Sequence, residues 1–442
     1  MKIAAIGGYE TVGRNMTAIK SKEETIAIEC GIRVDMLQIY EGANKNVEDY
    51  TNEQLIGMDV IPDYRILEKM AGCSINNNNG KFVAQVLSHA HLDHIGATGI
   101  IKPDTSIIGT PYTIEMVRAE YKDGDFFSLP YRENFPVSDN ISVELIETTH
   151  SIPNCSIVVI RTAEGNIVYA SDFKLDNYST IARPDYQSLG RLGQEGVKAL
   201  IVESTRVKDE CKTPSEKIAK EMVRDTMESI ADQKGIIIAT TFSTHAERLQ
   251  SIIDVAEKID RKILMLGRSL YRQSELSKRF DYLDVPLTAQ GYSNGKAIAN
   301  ALRHIKKKDR NDYLLMVTGH QGELRSVLSK MADGEFPFKF ERGDSVVFCA
   351  STIPTQINYL NRYVLEAKLK SRGVRIFKDV HVSGHASKEE HRQLIEMLKP
   401  EHIIPCHGSL DMRINYVSLG EEHGYRLGKN LHIINNRGSV TI

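Results

Sequence analysis

The chain has 442 residues, a formal net charge of −2, 26% charged and 41% hydrophobic residues. That is ordinary globular composition, enough for two or three domains with their own cores, and it excludes disordered and collagen-like classes. The near-neutral balance does not advertise a nucleic-acid partner, so any such surface must gather its Lys and Arg locally. Six scattered cysteines (Cys30, Cys73, Cys155, Cys211, Cys349 and Cys406) include no C-x-x-C pair. They read as free, mostly buried thiols in a reducing cytoplasm. The apolar start, Met1 to Gly8, is too short for a signal peptide, and no apolar run reaches transmembrane length.

In chain order, the first half is rich in strands. Apolar runs at Lys2–Ile6, Thr25–Cys30, Phe82–Ser88, Ile141–Thr149, Ser156–Arg161 and Ile167–Ser171 are separated by turn signals. Gly7, Gly8 and Gly13 lack a phosphate-loop pattern and read as a tight turn, and Asn76 to Gly80 as a polar loop tip. From about residue 207 the rhythm alternates between strand and helix. Thr213-Pro214-Ser215-Glu216 reads as an N-cap, a first-turn Pro and a capping-box Glu, opening a helix to about Asp232. Strands follow at Gly235–Thr240, Lys262–Leu266 and Ser345–Ala350, and Lys306 to Lys308 read as the end of a helix. Alternation at this spacing predicts a parallel sheet covered by helices. After about Gly373 the strand-rich style returns, with Arg375–Ser383, a helix from Lys388 and His402–Cys406. The simplest account is one domain interrupted by another: 1–206 and 371–442 around an insertion at 207–370.

The most informative string is Ser88-His89-Ala90-His91-Leu92-Asp93-His94. Imidazole and carboxylate are the donors that zinc-like divalent metals take. His89 and His91, two apart in an extended loop, can face one ion, while Asp93 and His94 enter a helix and face another. With 14 His in the chain, chance produces H-x-H-x-D-H in about one chain in a thousand, which disfavours a reading as ordinary core histidines. Downstream, His150, Asp172 and His407 each stand at the carboxyl end of an apolar strand. Alone each is an unremarkable strand-end residue; with the first motif they complete a set of seven donors.

That pattern resembles the metallo-β-lactamase hydrolases, which implies an αββα sandwich. The resemblance implies one zinc held by His89, His91 and His150, a second by Asp93, His94 and His407, and Asp172 bridging them. Glu203 in Ile201-Val202-Glu203, His385 in Ser383-Gly384-His385-Ala386 and the late His407 match the β-CASP subgroup of nucleic-acid enzymes, whose members acting on RNA share them. Within it the chain is similar to ribonuclease J of the archaeal type. The matching stretches are Gly7 to Glu10, Gly13 to Met16, His150 to Pro153, Ser171 to Lys174, Gly267 to Ser269, Thr318 to Glu323 and Ile353-Pro354. Glu29 replaces the Asp usual before Cys-Gly, and His320 stands where bacterial relatives carry Ser. The chain stops soon after His407, without the extra bacterial C-terminal domain, and shows no N-terminal KH modules.

The implied activity is two-zinc hydrolysis of single-stranded RNA in decay and processing, running 5′→3′ from 5′-monophosphate ends. His385, oriented by Glu203, is the candidate acid, with Asp172 between the ions. Ser383, Ser351 and Thr352 are the candidate terminal-phosphate contacts. An endoribonuclease, a small-molecule hydrolase or a non-catalytic RNA-binding relative are the alternatives. The insertion argues against the small-molecule hydrolase, and the complete donor set against the non-catalytic relative. No membrane is expected, and a homodimer is left open.

Overall fold

The structure is a computed structural model and describes residues 1–41 and 46–442. The chain divides into two compact units. Met1–Asn177, Ala182–Thr213 and Gly384–Ile442 form the first, and Tyr178–Ile181 and Pro214–Ser383 form the second.

The first unit is built on two sheets. One runs in the order Ser439–Thr441, Lys2–Gly7, Met16–Ser21, Glu24–Ile28, Phe82–Leu87, Ile107–Gly109, Phe126–Ser128. The other runs His402–Cys406, Val197–Glu203, Gly165–Ala170, Ser156–Thr162, Ile141–Glu147, Phe135–Pro136. Side chains alternate across a strand, so an apolar run on a central strand serves two cores at once. In Val197–Glu203, Ala199 and Ile201 join Ile3, Ile26, Val86 and Val158 between the sheets. Leu200 and Val202 point the other way and pack with Leu189, Leu394 and Leu419 of the covering helices Tyr186–Glu195, Lys388–Leu398 and Leu410–Glu422. Helices Arg65–Ala71 and Pro111–Glu120 contact strands of the first sheet. The layering is helix, sheet, sheet, helix.

Pairing fixes where the chemistry gathers. Val197–Glu203 is parallel to both Gly165–Ala170 and His402–Cys406. Ile141–Glu147 has the same direction, because it reaches Gly165–Ala170 through the antiparallel Ser156–Thr162. Four strands therefore end on one edge, and His150, Asp172, Glu203 and His407 stand there. Glu24–Ile28 and Phe82–Leu87 are parallel in the other sheet and lead into Glu29 and His89.

The second unit holds one fully parallel sheet, in the order Gln290–Tyr292, Lys262–Leu266, Tyr313–Val317, Ile237–Thr240, Ser345–Phe348, Arg375–Phe377. Val223, Leu249, Ile252 and Leu270 cover one face, and Ile298, Leu302, Leu328 and Leu365 the other. Truncating a buried Leu of this kind to Ala costs about 2–5 kcal/mol.

Three local expectations are corrected. The strand expected over Arg375–Ser383 spans only Arg375–Phe377 and pairs with Ser345–Phe348, so it completes the second unit's sheet and not the returning domain. The helix expected from Thr213 begins at Glu216 with Ser215 as its cap, because Thr213 is committed elsewhere. Its N–H donates to Glu390 and its hydroxyl to the His385 carbonyl. The helix before Lys306 ends at His304, and Lys306 precedes a short 3-10 turn at Lys307–Asp312.

Candidate metal centre

The chain leaves strand Phe82–Leu87 extended, places His89 and His91, and turns into the short helix Leu92–Ile95, which carries Asp93 and His94. Glycine makes this approach feasible. A Cβ on Gly31 would fall 1.6 Å from the Asp93 carbonyl oxygen, and one on Gly8 2.2 Å from Asn15 Oδ1.

The seven expected donors converge in two groups. In the first, His91 Nδ1 lies 3.1 Å from His89 Nε2 and 3.2 Å from His150 Nε2. Asp172 Oδ2 completes it, 3.6 Å from His89 Nε2 and 3.4 Å from His150 Nε2. In the second, Asp172 Oδ1 lies 3.5 Å from His94 Nε2 and 3.4 Å from His407 Nε2. Asp93 Oδ2 is 3.4 Å from His94 Nε2 and 3.8 Å from His407 Nε2. Donors about 2.0–2.1 Å from a tetrahedral ion lie ~3.4 Å from each other, so both groups have the spacing of a metal shell. One carboxylate offers an oxygen to each.

The donor atoms are also held in the right form. A metal-binding imidazole is normally fixed through its other nitrogen. His150 Nδ1 donates to the Gly384 carbonyl at 2.8 Å, and His407 Nδ1 to Asn15 Oδ1 at 2.9 Å. His89 Nδ1 meets Ser88 Oγ at 2.9 Å, and that hydroxyl in turn donates to Glu29. Glu29 Oε1 is also 3.2 Å from His94 Nδ1, an ion-pair contact without hydrogen-bond alignment. Glu29 therefore reaches one histidine of each group. The Asn15 amide nitrogen donates to the Asp93 carbonyl at 3.0 Å and sits 3.2 Å from His94 Nε2.

Burial and neighbours divide the histidines. Burial pushes His89 and His150 well below the usual imidazole range and His91 down to about 4, which keeps lone pairs available. Burial also opposes charge on His94, yet Asp93, Asp172 and Glu29 overcome it and raise that ring well above the usual range. Asp172 is held ionised in spite of burial by His407, His94 and His385. His89, His91 and His150 thus favour the neutral form beside ionised Asp172, a donor set of the kind that divalent cations take.

His385 and Glu203 lie beside the donors. His385 Nδ1 contacts Glu203 Oε2 at 2.9 Å, and its Nε2 lies 4.0 Å from Asp172 Oδ2. Burial works against charge there, but Glu203 and Asp172 outweigh it and raise the ring to about 9. Glu203, fully buried, also accepts from Phe173 N at 3.3 Å and from the Thr205 hydroxyl. The candidate phosphate contacts Ser351, Thr352 and Ser383 belong to the second unit, where Ser351 is exposed and the other two half-buried.

Sequence reasoning gives no role to Asn15 or to the Ser88 hydroxyl. Asn15 lies in the matched stretch Gly13 to Met16, which was its one available signal.

Residues 234–366 match the family model "Ribonuclease J, beta-CASP domain", and residues 374–433 match "Zn-dependent metallo-hydrolase RNA specificity domain". The chain is 42% identical to Ribonuclease J of Pyrococcus abyssi, covering 100% of this chain and 97% of that protein. The chain belongs to the ribonuclease J family. Ribonuclease J of Methanocaldococcus jannaschii is likewise 42% identical, covering 99% of this chain and 97% of its own length. For Ribonuclease J of Thermus thermophilus the values are 30%, 95% and 70%. A crystal structure of an Enterococcus faecalis V583 protein of unknown function superposes with a TM-score of 0.63 at 17% identity, covering 100% of this chain and 99% of that one, which shows a shared fold. The architecture is the metallo-β-lactamase sandwich with a β-CASP insertion. Among the described residues no helix is long and apolar enough to cross a membrane.

Proposed function

We propose that this chain is a zinc-dependent ribonuclease that degrades single-stranded RNA 5′→3′ and prefers 5′-monophosphate ends. The observation that carries the metal chemistry is Asp172, with one oxygen facing each of two donor groups. His89, His91 and His150 would hold one ion, Asp93, His94 and His407 the other, and Asp172 both. When bound, such ions supply Lewis acidity toward the phosphoryl oxygens and make water nucleophilic at neutral pH.

The chain's own residues do the rest. Asp172 brings negative charge between the two donor groups, which permits two cations to sit close together. His385 carries a proton on Nε2 while Nδ1 is occupied by Glu203, so it is arranged to protonate the departing 3′-oxygen. Water adds to phosphorus, the 3′-oxygen leaves with the proton, and the remaining chain keeps the phosphate. Each cut therefore creates a new 5′-monophosphate end. Ser383, Ser351 and Thr352 would receive that terminal phosphate. Family membership supports the ribonuclease reading, and six free thiols accord with a reducing, cytoplasmic setting.

The test is digestion of one RNA, labelled at either end, with a 5′-monophosphate, 5′-hydroxyl or 5′-triphosphate. Early mononucleotide release, fastest from the monophosphate, is expected. Internal fragments appearing first, or equal rates on all three, would replace this reading with an endonuclease.

A further inference from the structure

The stretch Thr318 to Glu323 follows strand Tyr313–Val317 of the second unit and meets the loop that follows Ser345–Phe348 through Gln321. Gln321 is 3% exposed and spends its whole amide on that loop. Its Nε2 donates to the Ser351 carbonyl at 3.0 Å, and its Oε1 accepts from Ile353 N at 2.9 Å. The two contacts bracket Thr352. They satisfy the loop backbone as a partner strand would, where the sheet itself provides none. Gln321 is itself fixed, since its N–H donates to Glu323 and the neighbouring His320 carbonyl accepts from Arg362 at 2.6 Å. At the base of the same loop, the fully buried Arg248 donates to the carbonyls of Cys349 and Val380. Val380 begins the short run leading to Ser383.

We propose that Gln321 is a positioning residue for 5′-end discrimination, its amide holding the Ser351–Thr352 turn in the shape that receives a terminal phosphate monoester. This rests on the exonuclease reading above. A loop without a partner strand samples many backbone conformations, and a pocket built on it gains affinity when a buried side chain removes them. The geometry is specific to an amide: one end must donate and the other accept.

The experiment compares wild type with Gln321→Met, which keeps volume without either hydrogen bond, and Gln321→Glu, which keeps only the acceptor. The readouts are KM and kcat on 5′-monophosphate and 5′-hydroxyl RNA, and inhibition by a nucleoside 5′-monophosphate. Loss of one to two net hydrogen bonds predicts a ~10-fold fall in the monophosphate-to-hydroxyl ratio of kcat/KM, carried by KM, with weaker nucleotide inhibition in parallel. If wild type prefers the monophosphate and both variants keep the preference, the inference is overturned while the exonuclease reading stands. An equal loss on both RNAs also overturns it, since that is general destabilisation. If wild type shows no preference, the underlying reading fails and the inference with it.

Discussion

Both units gather polar residues at the carboxyl ends of their parallel strands, and they do so with different chemistry. In the first unit the strand ends carry imidazoles and carboxylates, and their second atoms are braced by Asn15, Ser88, Glu29, Gly384 and Glu203. In the second they carry hydroxyls and amides: Thr240 and Thr241, Ser269, Gln321, Ser351 and Thr352. Two ionisable groups there, Arg248 and His320, are buried. Arg248 is bidentate to Glu216, at 2.6 and 2.8 Å, and burial followed by Arg362 pushes His320 down to about 3. The same strand geometry is filled once with metal-binding and proton-carrying groups and once with groups suited to recognition. If that contrast is right, damage to the first edge abolishes turnover, whereas damage to the second changes preference or stability.

The largest expected effect is from Asp172→Ala, which removes an oxygen from both donor groups. Turnover should fall on the order of 10⁴-fold or more, with metal content reduced in mass-spectrometric analysis. Retained turnover would break the contrast at once. Next is His385→Ala. General acid–base help is worth ~10²–10⁴-fold, so turnover should fall by that much while the metals stay bound. Loss of metal instead would move His385 into the donor set. Smaller again are Asn15→Ala and Glu29→Gln, which leave the donors intact and release their orientation. Removing such outer partners costs ~10–100-fold in metal affinity or activity, measurable by competition with a chromogenic chelator.

The second unit should respond through stability. Arg248→Met removes the bidentate guanidinium from buried Glu216 and leaves His245 beside it, which costs about 3–5 kcal/mol in denaturant unfolding, and adding Glu216→Gln should recover much of that. The pH dependence has a definite sign. Burial alone would raise the Glu216 carboxyl, but His245 and Arg248 hold it below the usual range. Its stabilisation is therefore complete above the unfolded value of ~4.3 and is lost as pH falls through the lower folded value. A double variant whose stability declines between pH 5 and 3 as steeply as wild type would contradict this.

What was legible in the sequence follows the same division. H-x-H-x-D-H shows itself because four donors are packed into six positions, and strand His402–Cys406 has the expected bounds because its apolar run is bounded by polar residues. His150, Asp172 and His407 needed both the strand pattern and the family resemblance. Asn15 was illegible because a neutral amide signals nothing until the fold places it against His407, 392 positions away. Thr213 misled for a related reason. Its capping pattern is genuine local chemistry, overridden by tertiary bonds to Glu390 and His385. Arg375–Phe377 was assigned to the wrong sheet because a three-residue strand carries too little pattern to name its partner.

The central claim is a pair of ions joined through Asp172, and metal counting on active protein tests it most directly. Purified wild type should contain about two zinc-like divalent ions per chain. Chelation should abolish RNA hydrolysis, and stepwise re-addition should restore it only as the second equivalent binds. Full hydrolysis by protein that contains no divalent ion, or that saturates in activity with one, would contradict the account.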